Sequence, residues 1–562
     1  MKNYLLLLFL FVFQLGFSKD QLTETDKLAT TCKVWGFLKY YHPNVASGKF
    51  NWDEELYSIL PKVEEAKTKE EFSTVIEDWI NRLGEVPKIK IVDAFPKENY
   101  FYKNLDLSWI QNNKFLSTSL SKKLKHIEEN RYQGQQYYIY EIIEDSEGTG
   151  ILNLQNEKTT EDFTWEKKQF RLLTLFRYWN VIEYFAPNKY KIDKDWSSCL
   201  QDILPKIVNP KDEVSYHYAL LEMVANLNDS HASYYIMDHN RHLKTLEYNC
   251  VNMLPFEVDI IDNYFVVSKL YNDALCVKND IQMGDAIEKL DGKTVQDYIE
   301  LHKNKIPASN NAYLLNQISK FHLRFPNKEI EISFSRGKNN FVKKIELQGS
   351  DNYFGDVEKS KNKEKYKILE GNIGYLNLEN IYPKNLEEIL LVIKEAKGLI
   401  IDIRNYPHDV HLLLADFLNS KPKEFAKQIY SDLKYPGRYI WEEMQVCGKE
   451  NPNYYKGKVV ILVNEESFSH SEWTAMCLRT ADNAIVMGSQ TAGADGTNFN
   501  FKIVMFHFLT SFTGKGVFYP DGRETQRIGI VPDIEVKPTI DGLRGMKDEV
   551  LNRAIEYIET GK

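Results

Sequence analysis

Ser467-Phe468-Ser469-His470-Ser471-Glu472 follows directly on the apolar run Val459-Val460-Ile461-Leu462-Val463, so three serines and a histidine stand where a buried strand should turn into a helix. A serine hydroxyl is a poor nucleophile at neutral pH and needs a base within hydrogen-bond reach. A helix amino terminus offers unpaired backbone N–H groups and a dipole that favours negative charge, which an oxyanion requires. Acyl transfer is therefore the chemistry these residue types suit. The spacing of Ser469 and Glu472 also has the S-x-x-E form of a capping box, in which the serine accepts from a helix amide and the glutamate reaches back. On that reading the segment caps a helix, with or without chemistry.

The candidate base lies far upstream, in Asn228-Asp229-Ser230-His231. Its neighbourhood is one half of an internal repeat. Residues 35–44, WGFLKYYHPN, match residues 179–188, WNVIEYFAPN, at an offset of 144 residues, and the same offset carries Trp52 onto Trp196 and Leu60-Pro61-Lys62 onto Leu204-Pro205-Lys206. Apolar residues at three-and-four spacing make each copy a small helical unit with its aromatic residues in the core. The first copy ends in Leu83-Gly84-Glu85-Val86-Pro87, without a histidine. A histidine that served only the packing of the unit would be expected to have a counterpart there, so His231 is read as functional.

Other polar residues receive plainer readings. His408 and His411 have no third ligand at a metal-binding spacing, so neither metal nor cofactor is expected. His470, adjacent to the nucleophile candidate, is expected to point elsewhere, and Asp402 and Arg404 at a strand end to organise a loop. Six cysteines (Cys32, Cys199, Cys250, Cys276, Cys447, Cys477) are widely spaced and read mostly as small buried apolar residues. The net charge of −9, with acidic and basic residues interspersed, gives no reason to expect a nucleic-acid partner. The first residues, MKNYLLLLFLFVFQLGFSKD, carry a lysine, a short apolar run and small residues near Ser18, the form of an export signal. A periplasmic or secreted protein follows, without a stable membrane span once the signal is removed.

In combination these motifs resemble peptidase family S41, the carboxy-terminal processing and tricorn-core peptidases. The signature S-x-S-x-S-E is matched by residues 467–472, D-x-R-x-N-P by Asp402-Ile403-Arg404-Asn405-Tyr406-Pro407, and G-V-x-P-D by Gly529-Ile530-Val531-Pro532-Asp533. The resemblance spans roughly residues 165–562. It implies Ser469 as the nucleophile, with Ser467 and Ser471 in support. One branch of the family uses a lysine base, but Ala494 stands where that lysine would fall. The other branch places a Ser-His pair before a PDZ domain, matched by Ser230-His231, and a glutamate three residues before the G-V-x-P-D element, where this chain has Gln526. Gln526 could orient Ser230 or the imidazole without stabilising imidazolium as a carboxylate would, and Glu524 and Asp229 are alternative carboxylates. The resemblance further implies oxyanion amides from His470 and from the loop after Pro407, His408 or Asp409, where relatives carry Gly-Gly.

The elements that must position these residues read as a multidomain chain. Residues 1–18 are the signal, 19–160 an amino-terminal domain with a degenerate helical repeat, and 161–245 a helical subdomain carrying Ser230-His231. Residues 246–350 are β-rich, and Met283-Gly284-Asp285-Ala286-Ile287-Glu288-Lys289-Leu290-Asp291-Gly292 resembles a PDZ domain, with a helix starting near Val295. The lysine-rich stretch 355–368 reads as a linker. Residues 351–562 alternate buried strands with helices at 385–397, 409–419 and 547–558, an α/β layered core, which the resemblance makes crotonase/ClpP-like. The expected activity is serine-type hydrolysis of peptides or unfolded proteins. A catalytically inactive scaffold that binds peptides or small apolar ligands is the competing class, and an aromatic docking module in the repeat is a third.

Overall fold

The computed structural model describes residues 22–143, 150–157, 164–235, 251–503 and 508–562. The export signal expected at 1–18 lies outside them, as does Cys250; the other five cysteines are buried free thiols. No helix among the described residues is long and apolar enough to cross a membrane.

Three helices, α1 (Glu24–Tyr41), α2 (Trp52–Glu65) and α3 (Lys69–Arg82), are followed at the 144-residue offset by α4 (Lys168–Phe185), α5 (Trp196–Val208) and α6 (Glu213–Ala225). Helices α1 and α4 are buried nearly all round, as their mixed apolar and aromatic surfaces require. Equivalent tryptophans make equivalent contacts. The Trp35 indole N–H donates to the Trp52 carbonyl at 3.2 Å and Trp52 donates to that of Trp35 at 3.1 Å. Trp179 and Trp196 exchange the same two bonds at 3.0 and 3.1 Å. All four indoles are at most 3% exposed. They pack and are not a docking surface.

The two helical groups touch through α1 and α4 at the residues the offset relates, Gly36 and Asn180. A side chain on Gly36 would put Cβ 1.7 Å from Asn180 Oδ1, so glycine at this position leaves the room that the Asn180 amide fills. One apolar core runs through both groups, joining Trp35, Leu56 and Trp79 to Phe176, Trp179 and Leu200. The domain boundary expected at 160/161 therefore does not coincide with a break in packing. After α6 the chain turns into a short strand, β1 (Ser233–Tyr235).

Strands β2 (Phe256–Ile261), β3 (Tyr264–Leu270), β4 (Ala286–Leu290), β5 (Glu329–Arg336) and β6 (Asn339–Glu346) form an antiparallel sheet in the order β6-β5-β4-β3-β2. Its core gathers Phe256, Phe265, Ile287, Leu290 and Ile332 with Val295 and Ile318 from flanking helices. The lysine-rich stretch beyond it is not a bare linker: Ser350–Lys359 is helical and the next strand begins at Tyr366. Lysine, glutamate and aspartate are acceptable on an exposed helix face, and charge alone does not mark a linker.

The strands that position the site are β7 (Tyr366–Leu369), β8 (Ile373–Asn377), β9 (Gly398–Asp402), β10 (Lys458–Val463), β11 (Ala484–Gly488), the antiparallel pair β12 (Asn498–Ile503) and β13 (Phe508–Thr513), and β14 (Ile534–Glu535). A sheet in the order β7-β8-β9-β10-β11-β14 is parallel from β8 onward. Alternate residues of its strands face two cores. Leu399, Ile401, Val459 and Ile461 pack against helices α7 (Pro383–Ile393), α8 (His411–Leu418) and α9 (His470–Leu478). Ile400, Val460 and Leu462 meet α10 (Glu549–Thr560) on the other face. Burial on both faces explains why these strands are apolar at every position. Meanwhile β13 pairs with β1, so the β12-β13 pair holds the end of the helical region directly.

Candidate active site

The carboxyl ends of β9, β10 and β11 open onto one region, where sites form in sheets of this kind. Beyond β10, Ser467 Oγ donates to the Ile403 carbonyl at 2.7 Å, and Ser471 Oγ donates to the Asn405 carbonyl at 2.7 Å. The outer two serines thus tie the bend to the segment after β9. Between them Ser469 adopts φ 55°, ψ −116°, a conformation that costs a non-glycine residue about 1–3 kcal/mol.

Ser469 occupies the N-cap position of α9, but its side chain makes no capping bond. The capping box expected from the spacing is not formed. Instead the Glu472 carboxylate turns inward and accepts from the Thr491 hydroxyl, from the Gly493 amide at 2.8 Å and from the Ala494 amide at 2.9 Å. Burial pushes its carboxyl up to about 7, against these donors. Gly529, at φ 68°, is required beside it, since a Cβ there would lie 2.3 Å from Thr491 Oγ1 and 2.8 Å from Glu472 Oε1. Two elements of the sequence signature therefore meet on Glu472.

With its hydroxyl free of capping, Ser469 Oγ lies 2.9 Å from His231 Nε2. The other imidazole nitrogen, Nδ1, lies 2.9 Å from Thr513 Oγ1 at the end of β13. Thr513 Oγ1 donates to Asp229 Oδ1 at 2.8 Å, and the Thr513 amide donates to Asp229 Oδ2 at 2.7 Å. Since the threonine hydroxyl hydrogen goes to Asp229, its oxygen is left to accept Nδ1–H, which leaves Nε2 bare toward the serine. Asp229 also accepts the His231 amide at 3.0 Å. Burial of the imidazole holds the His231 pKa below its ordinary value, only partly countered by the Asp229 charge. Phe468 packs against the ring with centroids 4.6 Å apart.

The remaining expected site residues are placed differently. Ser230 bonds neither His231 nor Ser469: its amide donates to Ser309 Oγ at 2.8 Å, while its Oγ accepts the Ser309 amide at 3.0 Å and lies 3.4 Å from the Ala492 carbonyl. It locks the histidine turn to the loop before Asn311. Gln526 bonds neither Ser230 nor the imidazole; its Nε2 lies 3.4 Å from Asp229 Oδ1 and 3.5 Å from Ser309 Oγ. Glu524 is committed elsewhere, accepting from Lys103 at 2.9 Å, Tyr190 at 2.7 Å and Lys191. Of the two alternative carboxylates, Asp229 is the one beside the histidine. Thr513 was not legible: a threonine in an aromatic β-strand is an ordinary strand residue, and only pairing of β13 with β1 brings it to Asp229.

Ala494, at the position of the other branch's lysine, is fully buried and accepts the Ser469 amide at 3.2 Å. Asp402 and Arg404 form paired bonds at 2.7 and 3.0 Å, and Arg404 continues to Asp548, so these groups brace the segment after β9. His408 stacks on Tyr382 with centroids 3.8 Å apart. The fold nevertheless supplies what the spacing of His408 and His411 lacked, because Asp409, His411 and His470 bring potential ligand atoms within 4.8 Å of one another.

A buried α/β sheet with a strained serine at a helix start and a histidine on its hydroxyl defines a serine-type hydrolase. Residues 372–536, the part of the chain that carries Ser469, match the model of peptidase family S41, and this match supports reading the chain as a serine-type peptidase. A carboxy-terminal-processing protease of Bartonella bacilliformis is 24% identical over 344 residues, 58% of this chain and 71% of that protein. An uncharacterized protein of Chlamydia muridarum is 30% identical over 171 residues, 28% of this chain but only 27% of its own length. The structure of mature CPAF complexed with lactacystin shares the fold at a TM-score of 0.54 and 16% identity, covering 70% of this chain and 99% of that one.

Proposed function

We propose that the protein is an exported serine endopeptidase that hydrolyses peptide bonds in peptides or unfolded proteins through an acyl-enzyme on Ser469. The observation that carries this reading is the 2.9 Å contact between His231 Nε2 and Ser469 Oγ. His231 takes the hydroxyl proton as Oγ attacks the scissile carbonyl carbon. The protonated imidazole then gives that proton to the leaving amine, and water repeats the sequence to release the acyl group. A positioned base of this kind contributes about 10²–10⁴ in rate.

Asp229 takes the place of the family glutamate, acting on the imidazole through Thr513 and leaving Gln526 to hold Asp229. The oxyanion is assigned to the His470 amide and to an amide of His408 or Asp409, and each such donor is worth about 10²–10³. The helical units are a duplicated domain that frames the site and supplies the histidine turn from its second copy. Residues 246–350 act as a PDZ-like domain that shapes access, and the loop at Ser309 connects it to the histidine turn.

The test is to incubate the mature protein with an unfolded protein and a mixed peptide library, beside Ser469→Ala and His231→Ala, and to read products by mass spectrometry. Cleavage by the parent that both substitutions abolish is expected. A well-folded parent that cleaves nothing across pH would reject the reading and turn the question to what this scaffold binds.

A further inference from the structure

One side-chain cluster near the nucleophile has no part in the proton transfer. His411 opens α8 and His470 opens α9, and their rings lie edge to face with centroids 5.1 Å apart. Asp409 Oδ1 is 3.1 Å from His470 Nε2, and one ligand atom from each of Asp409, His411 and His470 falls within 4.8 Å of the others. His411 is 8% exposed, and its Nδ1 is buried without a hydrogen-bond partner among the described residues. Buried polar nitrogens are normally satisfied, so an orphan beside a second imidazole and a carboxylate points to a missing partner that accepts lone pairs.

We propose that Asp409, His411 and His470 form a binding site for a divalent transition-metal ion of the zinc type, separate from the Ser469–His231 pair. Two imidazoles and one carboxylate suit a borderline ion, whereas calcium and magnesium require more oxygens than the single carboxylate here supplies. Both histidines sit in the first turn of a helix, where the dipole disfavours imidazolium and so favours the neutral, metal-binding ring. The Asp409 carboxylate offsets part of the positive potential of the two helix starts. Its side chain is 86% exposed, so it can close onto an ion without disturbing the core, and solvent can fill a fourth position. Bound metal would join α9 to the segment before α8, which are the two segments assigned to the oxyanion.

The test uses the full mature chain with Ser469→Ala, so that self-cleavage does not interfere, titrated with Zn²⁺ alone by calorimetry, with the melting temperature followed in parallel. Uptake of one equivalent is expected, with a rise in melting temperature as metal binds the folded state. Asp409→Asn and His411→Ala should each weaken binding at least tenfold. Because His411 is buried, Asp409→Asn is the deciding variant if His411→Ala melts early before metal is added. No uptake, or uptake of the same strength in a well-folded Asp409→Asn protein, would overturn the site. Loss of peptide cleavage in His231→Ala bears on the catalytic reading alone and leaves this result untouched.

Discussion

His231 Nε2 and Ser469 Oγ lie 2.9 Å apart although 238 residues separate them in the chain. The join is made by sheet pairing rather than by proximity in sequence. Strand β1, three residues long, begins two residues after His231 and pairs with β13, whose last residue is Thr513. Thr513 in turn stands between the imidazole and Asp229. The His231 imidazole is therefore aimed by the strand that pairs with the histidine turn, and the first expectation concerns that strand.

Replacing Thr513 with valine keeps the strand's shape but removes the hydroxyl that accepts Nδ1–H and donates to Asp229. A buried hydrogen bond lost in this way is worth about 1–3 kcal/mol. At about 1.4 kcal/mol per decade, kcat should fall roughly 10- to 100-fold. KM should hold, because Thr513 is assigned no substrate contact. Thr513→Ser, which restores the hydroxyl, should recover most of the rate, and steady-state kinetics on any cleaved peptide would show the split. If valine and serine variants lose the same activity, Thr513 does not orient the base.

The pH profile should carry the mark of the buried imidazole. His231 must be neutral to accept the serine proton, so activity falls as pH drops through its pKa. Burial holds that pKa below the ordinary histidine value of about 6.5. The acid limb of kcat/KM should therefore lie below pH 6.5. Thr513→Val, which exchanges a polar contact for an apolar one at Nδ1, should move the limb further down. A limb above 6.5 in the parent would mean that the Asp229 charge outweighs desolvation.

The serine itself is expected to trade stability for position. At φ 55°, ψ −116° it occupies backbone space open mainly to glycine. Ser469→Gly should abolish cleavage and raise the melting temperature of the core. The gain is the strain of about 1–3 kcal/mol less the roughly 0.5–1 kcal/mol that glycine loses in chain entropy. Ser469→Ala, by contrast, removes the hydroxyl but keeps the Cβ, and should melt close to the parent. Scanning calorimetry on the three proteins separates the two effects.

The sequence disclosed local elements better than their meetings. The run Val459 to Val463 is apolar at every position because both sheet faces are covered, and it could be read as a buried strand without coordinates. The motif at 467–472 likewise marked the bend at which Ser469 meets His231 and Ser467 and Ser471 bond the segment after β9. The capping box was misread because S-x-x-E spacing reports local backbone bonding, whereas Glu472 answers to Thr491, Gly493 and Ala494 from a neighbouring segment. Glu524, Asp229 and Gln526 could not be ranked by position, since what separates them is the packing of β13 and the Ser309 loop against the histidine turn. The nearness of His411 to His470 was hidden for a related reason: they belong to different helices, and only the sheet brings their first turns together.

The repeat offers a test of the fold independent of the chemistry. Gly36 and Asn180 occupy equivalent positions of the two helical groups, yet their side chains could not be exchanged freely. Asn180 fills the space that Gly36 leaves, donating to the Cys32 carbonyl at 3.0 Å across the helix contact and to the Phe176 carbonyl at 2.9 Å within its own helix. Gly36→Ala would drive Cβ into the amide, 1.7 Å from its oxygen, and overpacking of this kind costs about 1–3 kcal/mol. The better helix propensity of alanine returns at most about 1 kcal/mol, so the clash decides the sign. A lower denaturation midpoint is expected for Gly36→Ala. Adding Asn180→Ala, which empties the contested space, should restore part of the loss, whereas independent sites would give additive destabilisation. Because the helical core continues into Phe499, Phe501 and Phe512 of β12 and β13, the strand that ends at Thr513, a loosened helix contact should also lower peptidase activity in parallel with the midpoint.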